Sequence, residues 1–242
     1  MKKLLYYFIC VTFLVSCNNN DFALPQLKYG GLKGKVSKVR ENHYTVREKF
    51  GEMTPGVITE ITISEFDKDG RCLQFGSYKE DGGFYYKMKT EWKDGKIISE
   101  THYSNDNNEP ITDLRIVDVS KYHRKWIVNS GKEDESYIEQ SLKGLTLTNK
   151  DEKDEIQAVI TYDKKGNIIE QKEYIGDPKF RTINEYDENG NIIKRTIYPE
   201  TGDPTIRTYS YPDFDDKGNW TTQIMIEDGN AEEIVKREIS YR

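Results

Sequence analysis

The sequence predicts an all-β protein of repeated antiparallel hairpins, and three observations carry that prediction. A turn-forming stretch, Tyr186-Asp187-Glu188-Asn189-Gly190-Asn191-Ile192-Ile193, recurs in worn copies along the chain. Apolar and polar residues alternate over short segments, the period of a half-buried strand. The chain also holds 17 tyrosines with only 35% hydrophobic residues and a mean hydropathy of −0.83. That balance suits sheets with a wet side better than a thick closed core, because tyrosine packs its ring and leaves its hydroxyl in water.

The turns come first. Tyr162-Asp163-Lys164-Lys165-Gly166-Asn167-Ile168-Ile169 nearly repeats the stretch above, and Phe214-Asp215-Asp216-Lys217-Gly218-Asn219-Trp220 keeps its frame. Phe66-Asp67-Lys68-Asp69-Gly70-Arg71 keeps the core, and Trp92-Lys93-Asp94-Gly95-Lys96 is a shortened relative. In each, the Asp side chain can accept from backbone amides ahead of it, two residues make a type I turn, and Gly takes the φ > 0 position. Asp67, Gly70, Gly95, Asp163, Gly166, Asn167, Asp187, Gly190, Asn191, Asp215, Gly218 and Asn219 are therefore assigned as structural turn residues. Spacings of 25 residues from Gly70 to Gly95, 24 from Gly166 to Gly190 and 28 from Gly190 to Gly218 fit two strands and two connections per unit.

Aromatic-Asp-x-x-Gly-Asn followed by apolar β-branched residues resembles the YD (Rhs-type) repeat, over Thr161 to Arg242 and more faintly between Ile58 and Tyr103. The resemblance implies stacked hairpins in an elongated or curled sheet. Five turns are too few for the cargo-enclosing shells of large members, so their delivery role is not carried over.

The strands follow. Val57, Thr59, Ile61 and Ile63 alternate with Ile58, Glu60, Thr62 and Ser64, and Ile156, Ala158, Ile160 and Tyr162 with Gln157, Val159 and Thr161. Neither face is expected to be wholly buried. Thr201-Gly202-Asp203-Pro204 and Gly176-Asp177-Pro178 read as turns on the opposite edge. Between Gly95 and Gly166 the repeat is obscure: residues 104–155 either continue it or form an irregular insert joining two small β-sheet blocks. The charged run Asn149 to Glu155 marks the boundary between an N-terminal hairpin block, 29–148, and a C-terminal one, 156–242.

The first residues read as targeting signal. Lys2 and Lys3 precede a twelve-residue apolar run, Leu4 to Val15, too short to span a membrane as a helix. Leu14-Val15-Ser16-Cys17 resembles a bacterial lipobox, which implies removal of 1–16, lipidation of Cys17 and a tether over 17–28. The expected address is the outer membrane, through the lipid. Taking Lys2 and Lys3 from the 36 basic residues leaves 34 against 42 acidic ones, scattered along the strands. That excludes a nucleic-acid surface, which needs clustered positive charge. With Cys10 in the signal and Cys17 lipidated, Cys72 has no disulfide partner.

Catalytic and metal motifs are absent from the sequence. His43, His102 and His123 show no zinc spacing, the Asp-rich turns lack the later Glu of an EF-hand, and no Gly-x-Ser-x-Gly elbow occurs. No cofactor and no enzymatic activity are expected. An enzyme would need His102, His123 and a carboxylate in one cleft. The expected function is a non-catalytic binding or scaffold module with an envelope protein as partner. The alternative is glycan binding, with Tyr85, Tyr86, Trp92, Tyr209, Tyr211 and Trp220 as stacking rings.

Overall fold

The computed structural model describes residues 32–94, 96–104, 110–119, 123–129, 135–175 and 179–242. Sixteen strands among them form one antiparallel sheet closed on itself into a barrel. In chain order they are β1 (Val36–Lys49), β2 (Glu52–Phe66), β3 (Cys72–Tyr78), β4 (Phe84–Lys93), β5 (Lys96–Ser104), β6 (Thr112–Val119), β7 (His123–Val128) and β8 (Ser136–Lys143). There follow β9 (Thr146–Lys150), β10 (Ile156–Tyr162), β11 (Ile168–Glu173), β12 (Phe180–Tyr186), β13 (Ile192–Pro199), β14 (Thr205–Phe214), β15 (Trp220–Glu227) and β16 (Asn230–Tyr241). Each pairs with its chain neighbours, and β1 closes the ring on β16 from Val36 opposite Tyr241 to Thr45 opposite Glu233.

The prediction of hairpin-connected antiparallel strands holds, but the elongated or curled open sheet does not. Closure removes the exposed edges that an open stack would present, and with it the resemblance to the YD (Rhs-type) repeat falls. Residues 104–155 supply β6 to β9 of the same sheet, so neither an irregular insert nor two separate blocks of strands is present.

Hairpin geometry follows from the turn residues. Asp163 N–H donates to Asn167 O (2.8 Å) and Gly166 N–H to Asp163 O (3.1 Å), while Asp163 Oδ1 accepts from Lys165 N (2.8 Å) and Asn167 N (2.9 Å). The same bonds are made at Asp67, Asp187 and Asp215. Gly70, Gly166, Gly190 and Gly218 all have φ between 78° and 92°, the left-handed region open to glycine. Gly95, Gly176, Asp177 and Pro178 lie outside the described residues, as do Cys17 and the tether. A further copy of the turn escapes the sequence pattern: Asp151 makes these bonds with Lys153, Asp154 and Glu155, with Asp154 at φ 63° in place of Gly. The charged run 149–155 is therefore the hairpin between β9 and β10.

The four Asp-x-x-Gly turns share one rim with the start of β1 and the end of β16, here called the proximal rim. The tips of β1–β2 and β9–β10 lie at the distal rim. Along β4, Tyr86, Met88 and Thr90 are buried and face inward, while Tyr85, Lys87, Lys89 and Glu91 face out together with the buried Phe84, which a register shift sets opposite Tyr78 and under the Lys87 ammonium. On β2 the expectation from alternation inverts. The polar Thr62 and Ser64 turn inward, and Ile61 is buried on the outer side, in the same row as Tyr78. Gly76 makes room there, since a Cβ at that position would collide with the Tyr78 ring.

Apolar packing falls into three clusters. One joins Leu142, Leu147, Ile160 and Tyr162, a second Ile97, Leu114 and Trp126, and a third Val36, Val39, Phe66 and Cys72.

Candidate functional site

The inner wall divides into two arcs. From β4 to β10 much of the inward wall is sealed: Met88, Glu100, His102, Leu147, Ala158 and Ile160 are fully buried, with Ile116, Val128 and Ile138 partly buried beside them. From β11 to β15 the inward Gln171, Thr182, Arg195, Ile197, Arg207, Tyr209 and Met225 stay partly exposed, so water reaches them from within. A sixteen-stranded barrel is wide enough to hold such water.

The sealed arc carries polar groups at high desolvation cost. Tyr86 OH bonds His102 Nδ1, and His102 Nε2 lies 3.8 Å from Glu100 Oε2. Neither Glu100 oxygen meets a hydrogen-bond partner among the described residues, nor does Thr90 Oγ1 opposite it. Arg124 Nε and Nη2 donate to Gln140 Oε1 (2.9 and 2.6 Å), and the guanidinium stacks on Trp126 at 4.8 Å. Burial depresses the Arg124 pKa to about 10, against the charge of Glu100, which raises it.

Between the arcs, β1, β2 and β16 hold a second polar cluster. Arg237 binds Glu41 Oε1 through Nε (2.9 Å) and Nη2 (2.6 Å) and lies 3.2 Å over the Trp220 ring. Thr62 Oγ1 donates to Glu41 Oε2 at 2.9 Å, and Ser77 Oγ donates to Glu60. His43 Nδ1 meets Glu233 Oε1 at 3.0 Å. Burial lowers the His43 pKa, but the Glu233 hydrogen bond and the charges of Glu233, Glu41 and Glu60 outweigh it and raise the group above 6.5. Farther round, Arg207 Nε pairs with Glu227 Oε2 at 2.5 Å. The reachable lumen thus offers paired charges, amides and the Tyr209 ring, a surface that can hold a polar ligand by hydrogen bonds.

Of the aromatic residues singled out from sequence, Tyr85 faces out and the other five face in, Tyr209 and Tyr211 side by side on β14. Tyr85 is on the outer wall under Lys79, whose ammonium is 5.5 Å from its ring. Tyr86 is buried inside, and Trp92 donates from Nε1 to Cys72 O at 2.7 Å. Tyr211 OH donates to Ile192 O at 2.7 Å and packs on the buried Trp220 with ring centroids 5.5 Å apart. Tyr209 and Tyr211 share the inward face of β14 and are both partly exposed, as is Trp92 against the inward Ile97–Leu114–Trp126 cluster. The histidines separate likewise: His102 is sealed inside, while His123 faces out near Glu139 at 3.7 Å. The cleft that an enzyme reading requires is not assembled. Among the described residues no group of three or more His, Cys, Asp or Glu side chains could hold a metal ion.

The outer wall is charged. Lys38–Glu65, Lys125–Glu139, Arg181–Glu170 and Lys194–Glu185 pair across strands at 2.5 to 3.5 Å. Lys87, Lys89 and Glu91 stand unburied on β4. A barrel that crosses a bilayer needs an apolar outer band ~25 Å tall all the way round, and these charges on β1, β4, β7, β8 and β11 to β13 interrupt it. An open groove of about 620 Å3 runs over the outside of β4–β6, lined by Glu91, Tyr103, Asp113 and Arg115 among others. Lys87 and Lys89 lie 4.8 and 5.8 Å from the Tyr103 ring.

Neither arc was legible as a site beforehand. The only signal was inward parity on single strands, and parity does not say which face is inside.

No protein-family model matches the chain, and no curated protein matches its sequence. Among solved structures it is similar to the crystal structure of a porin-like protein from Bacteroides uniformis ATCC 8492. The two share 11% sequence identity with a TM-score of 0.52, over 86% of this chain and 98% of that one. At that identity the likeness is one of fold: a closed antiparallel barrel.

Proposed function

We propose that the protein is a non-catalytic binding barrel of the bacterial envelope, held at the outer membrane by lipid on Cys17 and standing in water. The observation that carries this reading is the charged outer wall. Burying one lysine or arginine at the bilayer midplane costs a barrel ~2–4 kcal/mol, and β1, β4, β6, β7, β9, β11, β12, β13 and β16 each present such a residue outward. The porin-like neighbour supports an envelope address through its fold, and the lipobox-like Leu14-Val15-Ser16-Cys17 supplies an anchor that needs no spanning wall. The partner is a protein that meets the barrel from outside. A polar ligand in the lumen beside Tyr209, Arg207 and Gln171 is the second reading, favoured by the partial exposure of that arc. A glycan is less suited to the outer groove, because two ammonium groups already occupy the surroundings of Tyr103.

The test is fractionation of cells expressing the full chain and its Cys17→Ser variant. The wild-type chain should sediment with outer membranes and leave them only in detergent, and the variant should appear in the soluble envelope fraction. A variant that stays in the membrane through a carbonate wash, or purified protein that opens conductance steps in planar bilayers, would show a spanning barrel instead.

A further inference from the structure

One of the Asp-x-x-Gly turns is built differently from its copies. In the turns at Asp163 and Asp187, the closing Asn167 and Asn191 donate from Nδ2 to the second carboxylate oxygen at 2.8 Å. At Asp215 that oxygen accepts from Tyr241 OH, and Asn219 reaches the chain that enters β1. Its Oδ1 accepts from Lys33 N (2.6 Å) and its Nδ2 donates to Lys33 O (2.9 Å). Lys33 is thereby fixed on the proximal rim. Its ammonium lies against Gly218, where a Cβ would stand 3.2 Å from Nζ.

Beside it is a small pocket between the turns at Asp187 and Asp215. The buried Trp220, Asn219 and Arg237 form its floor, the exposed Lys33 and Asn189 its lip, and it encloses about 10 Å3, roughly what one water-sized group needs. Arg237 spends Nε and Nη2 on Glu41, and its side chain is only 5% exposed. Its Nη1 is buried and meets no hydrogen-bond partner among the described residues. A buried charged donor without an acceptor is costly. At the lip, the Lys33 ammonium pairs with no carboxylate among the described residues. The acids of the two flanking turns are committed elsewhere: Asp187 and Asp215 accept from turn amides, from Asn191 Nδ2 and from Tyr241 OH.

We propose that this pocket is a phosphate site. One oxygen sits on Arg237 Nη1 at the floor, and the Lys33 ammonium and the Asn189 amide hold the others at the lip. Donors below and above suit a tetrahedral group, whose oxygens point in several directions, better than a carboxylate, whose two oxygens share a plane. Arginine and lysine are also the side chains that bind phosphate most readily. A single water would satisfy Nη1 but leave the lip ammonium without a counter-charge. The chain from Cys17 enters the barrel at this rim through Leu32, which packs on the Val36–Val39–Phe66–Cys72 cluster. Membrane headgroups as the source of the phosphate rest on the lipid-anchored reading above; free phosphate has the same chemistry and does not.

The test is calorimetric titration of the purified Cys17→Ser chain with inorganic phosphate, beside flotation of the same protein with phosphatidylglycerol vesicles. Phosphate should bind saturably. Lys33→Gln should weaken it about tenfold, the loss of one charge-assisted hydrogen bond, and Asn189→Asp should abolish it by setting a carboxylate at the lip. Both side chains are exposed, so the melting temperature should not move. Lys164→Gln removes an equal charge from a neighbouring turn of the rim and should change nothing. Flotation that is lost with Lys33→Gln and Asn189→Asp identifies the headgroup as the source, and titration without flotation identifies free phosphate. A chain that takes up neither phosphate nor vesicles, or that loses either equally with Lys164→Gln, overturns the site. Neither arm uses the lipid on Cys17, so a failed titration leaves the anchor standing and a failed fractionation leaves the pocket standing.

Discussion

The sealed arc from β4 to β10 and the wet arc from β11 to β15 are built from the same hairpin, yet they do different things with it. In the first, inward positions hold Met88, Leu147, Ile160 and Tyr162, which fill the space they face and leave Glu100 and His102 no water. In the second, the equivalent positions hold Gln171, Arg195, Arg207 and Tyr209, and solvent remains. The turn fixes where a strand begins, but the identity of every second side chain decides whether its wall becomes core or lumen. The sealed arc therefore supports stability and the wet arc is the part of the interior that a ligand can reach.

The largest test of that contrast is a matched pair of truncations. Leu147→Ala, in a fully buried site, should cost about 2–5 kcal/mol through lost transfer energy and an unfilled cavity. Ile197→Ala on the wet arc should cost about 1 kcal/mol, since water already meets it and no sealed cavity forms. Urea unfolding of both variants measures the difference, and equal costs would erase the distinction between arcs.

Next in size are the turns. Gly190→Val should destabilise by about 1–3 kcal/mol, because φ 87° is strained for a β-branched residue whatever space surrounds it. Asp154→Gly should act in the opposite direction by up to about 1 kcal/mol, relieving a non-glycine residue at φ 63°. Melting temperatures of the two variants check the signs.

Thiol chemistry separates the buried interior at β3 from the wet arc. Cys72 is 2% exposed, and burial pushes its thiol up to about 12, with its bond to the Gln74 carbonyl acting the other way. A disulfide reagent at pH 8 should leave it unmodified until the barrel unfolds. Gln171→Cys on the wet arc should react within the mixing time, and a slow reaction there would mean that the lumen is shut.

Some of this was legible in the residues and some could not be. The hairpins show through because a tight turn constrains its own few residues: Asp for the amides, Gly for positive φ. The turn at Asp151 stayed hidden because Asp154 does the work of glycine. Closure leaves no local mark at all, since it depends on β1 meeting β16 across nearly two hundred residues. An open stack and a barrel have the same hairpins, so the YD-like pattern pointed equally to both. The polar inner face of β2 misled for a related reason: Thr62 and Ser64 look solvent-facing until Glu41 and the sealed wall are placed opposite them.

The smallest predicted effects concern pH, and they set the two ends of the molecule against each other. At the proximal rim, burial raises the carboxyl pKa values of Asp67, Asp163 and Asp215, but hydrogen bonds from Arg71, Asn167, Tyr241 and the turn amides outweigh it and hold all three below 3.8. Their contribution is present above pH 3.8 and lost as pH falls through the folded values. His43 runs the other way: its folded pKa lies above 6.5, so its contribution is complete below pH 6.5 and disappears as pH rises through the folded value. Stability should therefore decline slightly as pH rises above 6.5, and His43→Gln should flatten that limb while leaving the acid limb intact. If that decline persists in His43→Gln, another group carries it, and the cluster of Glu41, Glu60 and Glu233 does not act on stability through the imidazole.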